Sequence, residues 1–266
     1  MLNVTPDSFS DGGKFPTPQA AVDFANQLYE QGADWIDVGG ESTRPGSLPV
    51  SPDEQIRRVV PVIQLLRRRS PILISIDTTH SAVAQAALDA GADVINDISS
   101  GRADPRMFPL AAQRQSPIIL LHMQGVPADM QARPTYQDVT REVAQFLTQR
   151  RDIAVSAGID PRRILLDPGI GFGKSVSHNL QLLRDTPILV RLGHPLVVGP
   201  SRKWFIGQII DAPQPRDRLF GTAAAVALAI ANGAGAVRVH DVGPMAQVVR
   251  MARAISAGKT PEFLKE

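Results

Sequence analysis

The chain has 266 residues, 43% of them hydrophobic, and carries 28 basic against 26 acidic side chains for a net charge of +2. The absence of cysteine excludes disulfides, thiolate metal sites and a cysteine nucleophile. No apolar run reaches the roughly 20 residues of a membrane-spanning helix, no signal-peptide pattern opens the chain, and 5% aromatics at near-balanced charge offer nucleic acid no footprint.

Short apolar runs alternate with longer amphipathic stretches along the whole chain. A strand over 1–3 runs into a polar loop, and Thr17-Pro18 predicts an N-cap with proline at the first helical position of a helix over 18–31. The strand at 34–38 precedes a helix over 52–69, whose start is marked by Ser51-Pro52-Asp53-Glu54. Its end carries Arg67-Arg68-Arg69, the only tight basic run; cations there favour the helix dipole, and the run is read that way rather than as a nucleic-acid patch. Strands at 72–76, 93–97, 117–121, 163–167, 196–199 and 236–239 follow, with helices near 80–90, 105–115, 137–157, 176–192, 203–233 and 243–257. Gly32, Gly91 and Gly235, each followed by alanine and a strand, read as residues closing the preceding helix. Strand–helix alternation argues for a parallel sheet. Eight such units predict a single (β/α)8 barrel domain over 1–266. An open doubly wound sheet is the alternative, but no Gly-x-Gly-x-x-Gly follows the first strand.

In such a barrel function gathers at the C-terminal ends of the strands, and every predicted strand ends in a polar residue. In order these are Asn3; Asp37, leading to Glu41, Thr43 and Arg44; Asp77; Asn96 and Asp97; His122, followed by Met123; Asp167; the turn Ser201-Arg202-Lys203; and Arg238 with His240. Eight caps converging on one rim predict a ligand site. Asp77, Asn96, Asp167 and Lys203 offer donors and acceptors whose burial is costly unless they are paired. A planar heterocycle with amine, ring N–H and carbonyl edges suits them, with Phe172, Met123 and the Arg238 guanidinium on its faces. Met123 and Phe172 are equally compatible with ordinary core. Asn3, Arg238 and His240, with Thr43 and Arg44 nearby, suit an anion and a hard cation such as Mg²⁺, which takes few protein oxygens. His80, His178 and His194 read as structural, and His122 is left open.

The motifs Leu2-Asn3-Val4-Thr5-Pro6-Asp7-Ser8-Phe9-Ser10-Asp11-Gly12-Gly13, Asp37-Val38-Gly39-Gly40-Glu41-Ser42-Thr43-Arg44-Pro45-Gly46, Ser75-Ile76-Asp77-Thr78, Ile95-Asn96-Asp97-Ile98 and His122-Met123-Gln124-Gly125 resemble those of dihydropteroate synthases. So do Asp167-Pro168-Gly169-Ile170-Gly171-Phe172-Gly173-Lys174, Gly199-Pro200-Ser201-Arg202-Lys203 and Arg238-Val239-His240-Asp241-Val242, in the family's order. The resemblance implies a cytoplasmic, commonly homodimeric enzyme. It would join 6-hydroxymethyl-7,8-dihydropterin diphosphate to p-aminobenzoate, giving 7,8-dihydropteroate and diphosphate. Asp77, Asn96, Met123, Asp167, Phe172, Gly199, Lys203 and Arg238 would hold the pterin. Thr43, Arg238 and His240, with Asn3 through Mg²⁺, would hold the diphosphate. Thr43, Arg44, Pro45, Phe172, Ser201 and Lys203 would form the p-aminobenzoate pocket, which sulfonamides would also enter. Asp77, Lys203, Arg238 and His240 would carry the chemistry, and the loops 4–17 and 41–51 would close as lids.

Two departures stand out. Trp204 follows Lys203, where the family often has a small or basic residue, and is expected to narrow the second pocket. The chain also opens directly on the first motif, so the first strand is expected to be short. Rival readings are a methyltetrahydrofolate–corrinoid methyltransferase type of pterin barrel, a non-catalytic pterin-binding paralogue, and a Schiff-base aldolase using Lys203, its amine depressed with help from Arg202.

Overall fold

The computed structural model describes residues 1–4, 17–41, 49–125, 130–132 and 134–258. Eight strands are arranged in parallel: β1 Leu2–Asn3, β2 Trp35–Gly39, β3 Leu73–Asp77, β4 Val94–Asp97, β5 Ile118–Leu121, β6 Ile164–Asp167, β7 Val197–Val198 and β8 Ala236–Val237. Continuous ladders join β1 through β6 and, separately, β7 with β8. The Leu166–Leu196 bridge carries the sheet from β6 to β7. The fold is a (β/α)8 barrel; among the described residues no ladder register closes β8 onto β1, where β1 is only two residues long.

The outer ring comprises α1 Pro18–Glu30, α2 Pro52–Arg69, α3 Ser81–Asp89, α4 Met107–Arg114, α5 Val139–Ser156, α6 Val176–Arg184, α7 Thr186–Val190, α8 Trp204–Ile209, α9 Leu219–Ala231 and α10 Val242–Ala257. Thr17 and Ser51 cap α1 and α2 through their hydroxyls, each with proline in the first turn, and Arg67–Arg69 close α2. Two predicted helices are broken. The stretch 176–192 divides at Asp185, where Pro187 in the first turn of α7 starts a new helix. The stretch 203–233 divides into α8, a 3-10 turn over Pro215–Arg218 and α9, because Pro213 and Pro215 cannot donate the amide bonds of a continuous helix. Gly32 and Gly91 take the positive φ that ends a helix, but Gly233, not Gly235, does so after α9.

Side-chain parity divides each strand between two environments. Ile36, Val38, Ile74, Ile76, Ile95, Ile118, Leu120, Ile164 and Leu166 belong to the large core shared with the helices. The alternate residues Val94, Ile119 and Val197, with Trp35, Leu165 and Ala236 against them, form a separate cluster inside the barrel. Continuing that inner parity toward the strand ends gives Asp37, Ser75, Asp77, Asn96 and Asp167. Apolar residues therefore fill the barrel floor, and polar ones crown it.

Candidate active site

The ladder registers align the crown: Asn3 lies opposite Gly39, Gly39 opposite Asp77, and Asp77 opposite Asn96. Arg238, just beyond β8, reaches across this row. Its Nε donates to Asp37 Oδ2 at 2.6 Å and its Nη2 to Asp77 Oδ2 at 2.8 Å. Asp37 also accepts from the Ser75 hydroxyl at 2.6 Å and lies at the edge of reach of the Asn96 amide at 3.4 Å. Burial alone raises the Asp37 carboxyl, but Arg238 and Ser75 hold it below its ordinary value. Burial pushes Asp77 up to about 7 against the pull of Arg238, and the neighbouring Asp37 charge adds to the rise. Burial works to lower Arg238, and its two carboxylates more than reverse that.

Beside this cluster a small cavity of about 30 Å³ is lined by Met1, Asn96, Asp167, Gly199, Ser201, Lys203, Arg238 and His240, with Ile98, Leu121, Ile170 and Phe172 as its apolar wall. Asp167 accepts the Gly169 N–H at 2.7 Å, and burial raises its carboxyl to about 6. Lys203 lies with Nζ 4.2 Å from the centre of the Phe172 ring, a cation–π contact. Burial lowers this amine to about 8, and Arg238 adds to the fall while Asp167 and Asp77 resist it. Gly171 makes that packing possible, since a Cβ there would stand 2.8 Å from Lys203 Cδ, and its φ is +79°.

His240 is held from β7. Ser201 Oγ accepts the His240 backbone N–H at 3.1 Å and lies 3.0 Å from its Nδ1. Where the Ser201 hydroxyl donates to Nδ1, the ring proton sits on Nε2. Burial, then the positive charges of the amino terminus, Arg202, Arg238 and Lys203, lower His240 to about 3 and favour the neutral ring. The site therefore joins an amide–carboxylate–amine set suited to a flat heterocycle with a neutral imidazole and a guanidinium suited to an anion.

Residues 1–240 match the family model described as pterin binding enzyme. The chain is 50% identical over 255 residues to a dihydropteroate synthase of Synechocystis sp., which covers 96% of this chain and 88% of the relative. The chain belongs to the dihydropteroate synthase family. Among solved structures, Yersinia pestis dihydropteroate synthase with a sulfonamide drug superposes with a TM-score of 0.92 at 42% identity, over 96% of this chain and 92% of that one. Xanthomonas albilineans dihydropteroate synthase in complex with 7,8-dihydropteroate gives a TM-score of 0.87 at 42% identity, over 98% and 92%.

For this dihydropteroate synthase chain the structure brings together Asp77, Asn96, Asp167, Phe172, Gly199, Ser201, Lys203, Arg238 and His240, with Asn3 at the end of the same row. Thr43, Arg44 and Pro45, and most of both expected lids, lie outside the described residues. Met123 does not line the cavity; it packs behind the wall with Ile98, Leu121, Met130 and Phe172. Arg238 is held through the edge of its guanidinium by Asp37 and Asp77. Trp204 has its ring exposed over an outer groove with Pro134, Val176 and Leu180, while residues 43–45 of the second pocket it was expected to narrow lie outside the described residues. Arg202 is paired with Asp241, so Arg238, rather than Arg202, joins burial in depressing Lys203.

Several rim residues prove structural. Asp97, one position off Asn96, has the opposite parity; it accepts from the Ser99 N–H and hydroxyl and the Gly101 N–H to tie a turn. Glu41 accepts from the Val50 N–H and the Gln55 amide. His122 is buried in contact with Phe146 and Tyr136, and His178 completes a capping box with Ser175. Asp37 was read as a strand-end residue but given no role, and Lys174 was missed. Asp37 is the main anchor of Arg238, as its inner parity with Asp77 signals. Lys174, 1% exposed, donates to the carbonyls of His122 and Phe172 and lies 3.0 Å from His122 Nδ1, supporting the loop that carries Phe172.

Proposed function

We propose that this site condenses 6-hydroxymethyl-7,8-dihydropterin diphosphate with p-aminobenzoate to give 7,8-dihydropteroate and diphosphate. The observation that carries the reading is Arg238, held by Asp37 and Asp77 in the cavity that Asn96, Asp167, Lys203 and His240 also line. The product-bound Xanthomonas albilineans enzyme supports it.

Asp77, Asn96, Asp167 and Lys203 orient the pterin, and Phe172 with Lys203 covers the approach of the arylamine. The C–O bond to diphosphate breaks with its electron pair passing to the leaving oxygen; the amine nitrogen forms the new C–N bond and gives up one proton. The amine is a neutral nucleophile and needs no strong base. Departure of the anion is the harder part, and the Arg238 guanidinium and the His240 Nε2–H stabilise the charge on it. In an SN1-like path the methylene carbon becomes cationic, and the Asp77 carboxylate opposes that charge. Thr43, Arg44, Pro45 and Ser201 complete the second pocket in this reading. The sulfonamide on the Yersinia pestis enzyme supports the same pocket as an inhibitor site.

The donor chemistry fits Mg²⁺. Asn3, at the end of β1 opposite Gly39, would contribute an amide oxygen to an ion that takes most of its shell from water and substrate phosphates. Bound there, Mg²⁺ would supply charge neutralisation on the diphosphate. Both substrates are charged and cross a bilayer poorly, which supports a cytoplasmic location; no helix among the described residues is long and apolar enough to span a membrane.

A homodimer is part of the proposal. Phe220 and Leu228 on α9 and Met251 and Ile255 on α10 are exposed on two helices packed against each other. Apolar side chains grouped in this way mark association surfaces.

Diphosphate release measured with and without p-aminobenzoate, and with Mg²⁺ or EDTA, tests the reaction. Release that requires both, with dihydropteroate appearing in step, is expected. Tight pterin binding without release would favour a binding paralogue or a corrinoid-type partner instead.

A further inference from the structure

Two consecutive residues of the β7 turn bond two consecutive residues of the β8 loop. Ser201 engages His240, and Arg202 pairs with Asp241, its Nε donating to Oδ2 at 2.8 Å. Arg202 sits at φ +57°, a left-handed conformation that non-glycine residues adopt only when their surroundings impose it. Those surroundings lie outside the ligand cavity. The Arg202 N–H donates to Thr222 Oγ1 at 3.0 Å, and the Arg202 carbonyl accepts from Arg218 Nη1 at 2.9 Å. Thr222 is fully buried on α9, and Arg218 is buried at its start, with Nε donating to the Ala212 carbonyl at 2.9 Å. Glycines make this support close-fitting: a Cβ at Gly207 would stand 2.5 Å from the Ala212 oxygen, and one at Gly221 2.4 Å from Ile206 Cγ2.

We propose that Thr222, Arg202 and Asp241 are positioning residues: they clamp the Ser201–Lys203 turn to the His240 loop, so that Ser201 fixes His240 with its proton on Nε2, facing the departing diphosphate. The clamp also ties Lys203 on the heterocycle side to His240 on the anion side, so one strained backbone residue sets both. The low proton affinity of His240 agrees with a ring fixed in its neutral form. The inference rests on the function proposed above for the consequence in turnover, but the ring-nitrogen geometry stands apart from it.

The test uses the full chain with Thr222→Val, Thr222→Ser and Asp241→Asn, read by kcat, both KM values, thermal stability and ¹⁵N resonances of the His240 ring. In the unsubstituted protein Nδ1 is expected to be unprotonated and Nε2 protonated. Thr222→Val is expected to lower kcat about tenfold, the effect of one mispositioned hydrogen bond, with KM for the dihydropterin diphosphate changed less than about twofold and the two ring tautomers mixed. Thr222→Ser, which keeps the hydroxyl, restores both. Asp241→Asn moves kcat and the tautomer signal in the same direction and provides the reading if Thr222→Val does not fold. A single Nε2–H tautomer and unchanged kcat in Thr222→Val or Asp241→Asn overturns the clamp, as does a loss that Thr222→Ser fails to restore at matched stability. Unchanged diphosphate affinity in His240→Ala would instead overturn the role assigned to His240, leaving the tautomer result to judge the clamp by itself.

Discussion

Asp167 illustrates a residue that serves the ligand at the expense of the empty protein. Its folded carboxyl sits at about 6, above its ordinary 3.8, because burial penalises the charge. The folded state therefore holds a proton that the unfolded state has released as pH rises between these values, and stability falls across that window. Asp167→Asn keeps an oxygen for the Gly169 N–H and removes the penalty. Its melting temperature is expected to exceed that of the unsubstituted protein at pH 7, by about 1–3 kcal/mol of stability, and to match it below about pH 4. Calorimetry should show pterin affinity falling strongly in the same variant; unchanged affinity would remove Asp167 from the site. His240→Ala is expected to lower kcat by about 10–100-fold and to weaken diphosphate binding, read by product inhibition. At this scale the rim residues were legible as polar groups at strand ends, and parity is what separates the useful ones. Asn96 and Asp97 are adjacent and equally polar, but only Asn96 shares the inner face with Asp77. The pairing of Asp37 with Arg238, 201 residues apart, had no local signal.

The loop between β6 and α6 shows what an element contributes. Gly169, Gly171 and Gly173 all have positive φ, and the loop lies close against the end of β5. Lys174 and Tyr136 donate to its Phe172 and Gly173 carbonyls, so it is fastened from below. Gly171→Ala places a methyl against Lys203 and a side chain at a disfavoured φ, with an expected stability loss of about 1–3 kcal/mol. Displacing Lys203 should also raise KM for the dihydropterin diphosphate, and unaltered kinetics would show that Lys203 is not positioned by this loop. Element type and order were readable from periodicity. The breaks at Asp185 and Pro213–Pro215 were signalled by the prolines themselves, but the apolar pattern continues across both, which merged two helices into one.

At the scale of the molecule, eight repeating units made the barrel legible, whereas the assembly is not encoded in periodicity. In the homodimer proposed above, Phe220, 84% exposed, and Leu228 would meet the second copy. Leu228→Glu is expected to halve the sedimenting mass with the helical signal retained; an unchanged mass would place the contact elsewhere. Arg238, just beyond β8, reaches Asp37 on β2 and Asp77 on β3, so the group assigned to the leaving anion also ties three strands together. A substitution at Arg238 that kept out an inhibitor would also leave two buried carboxylates without their cation. Selection under an inhibitor gripping Arg238 thus has little room to change that contact. The exposed ring of Trp204, by contrast, compensates no buried charge.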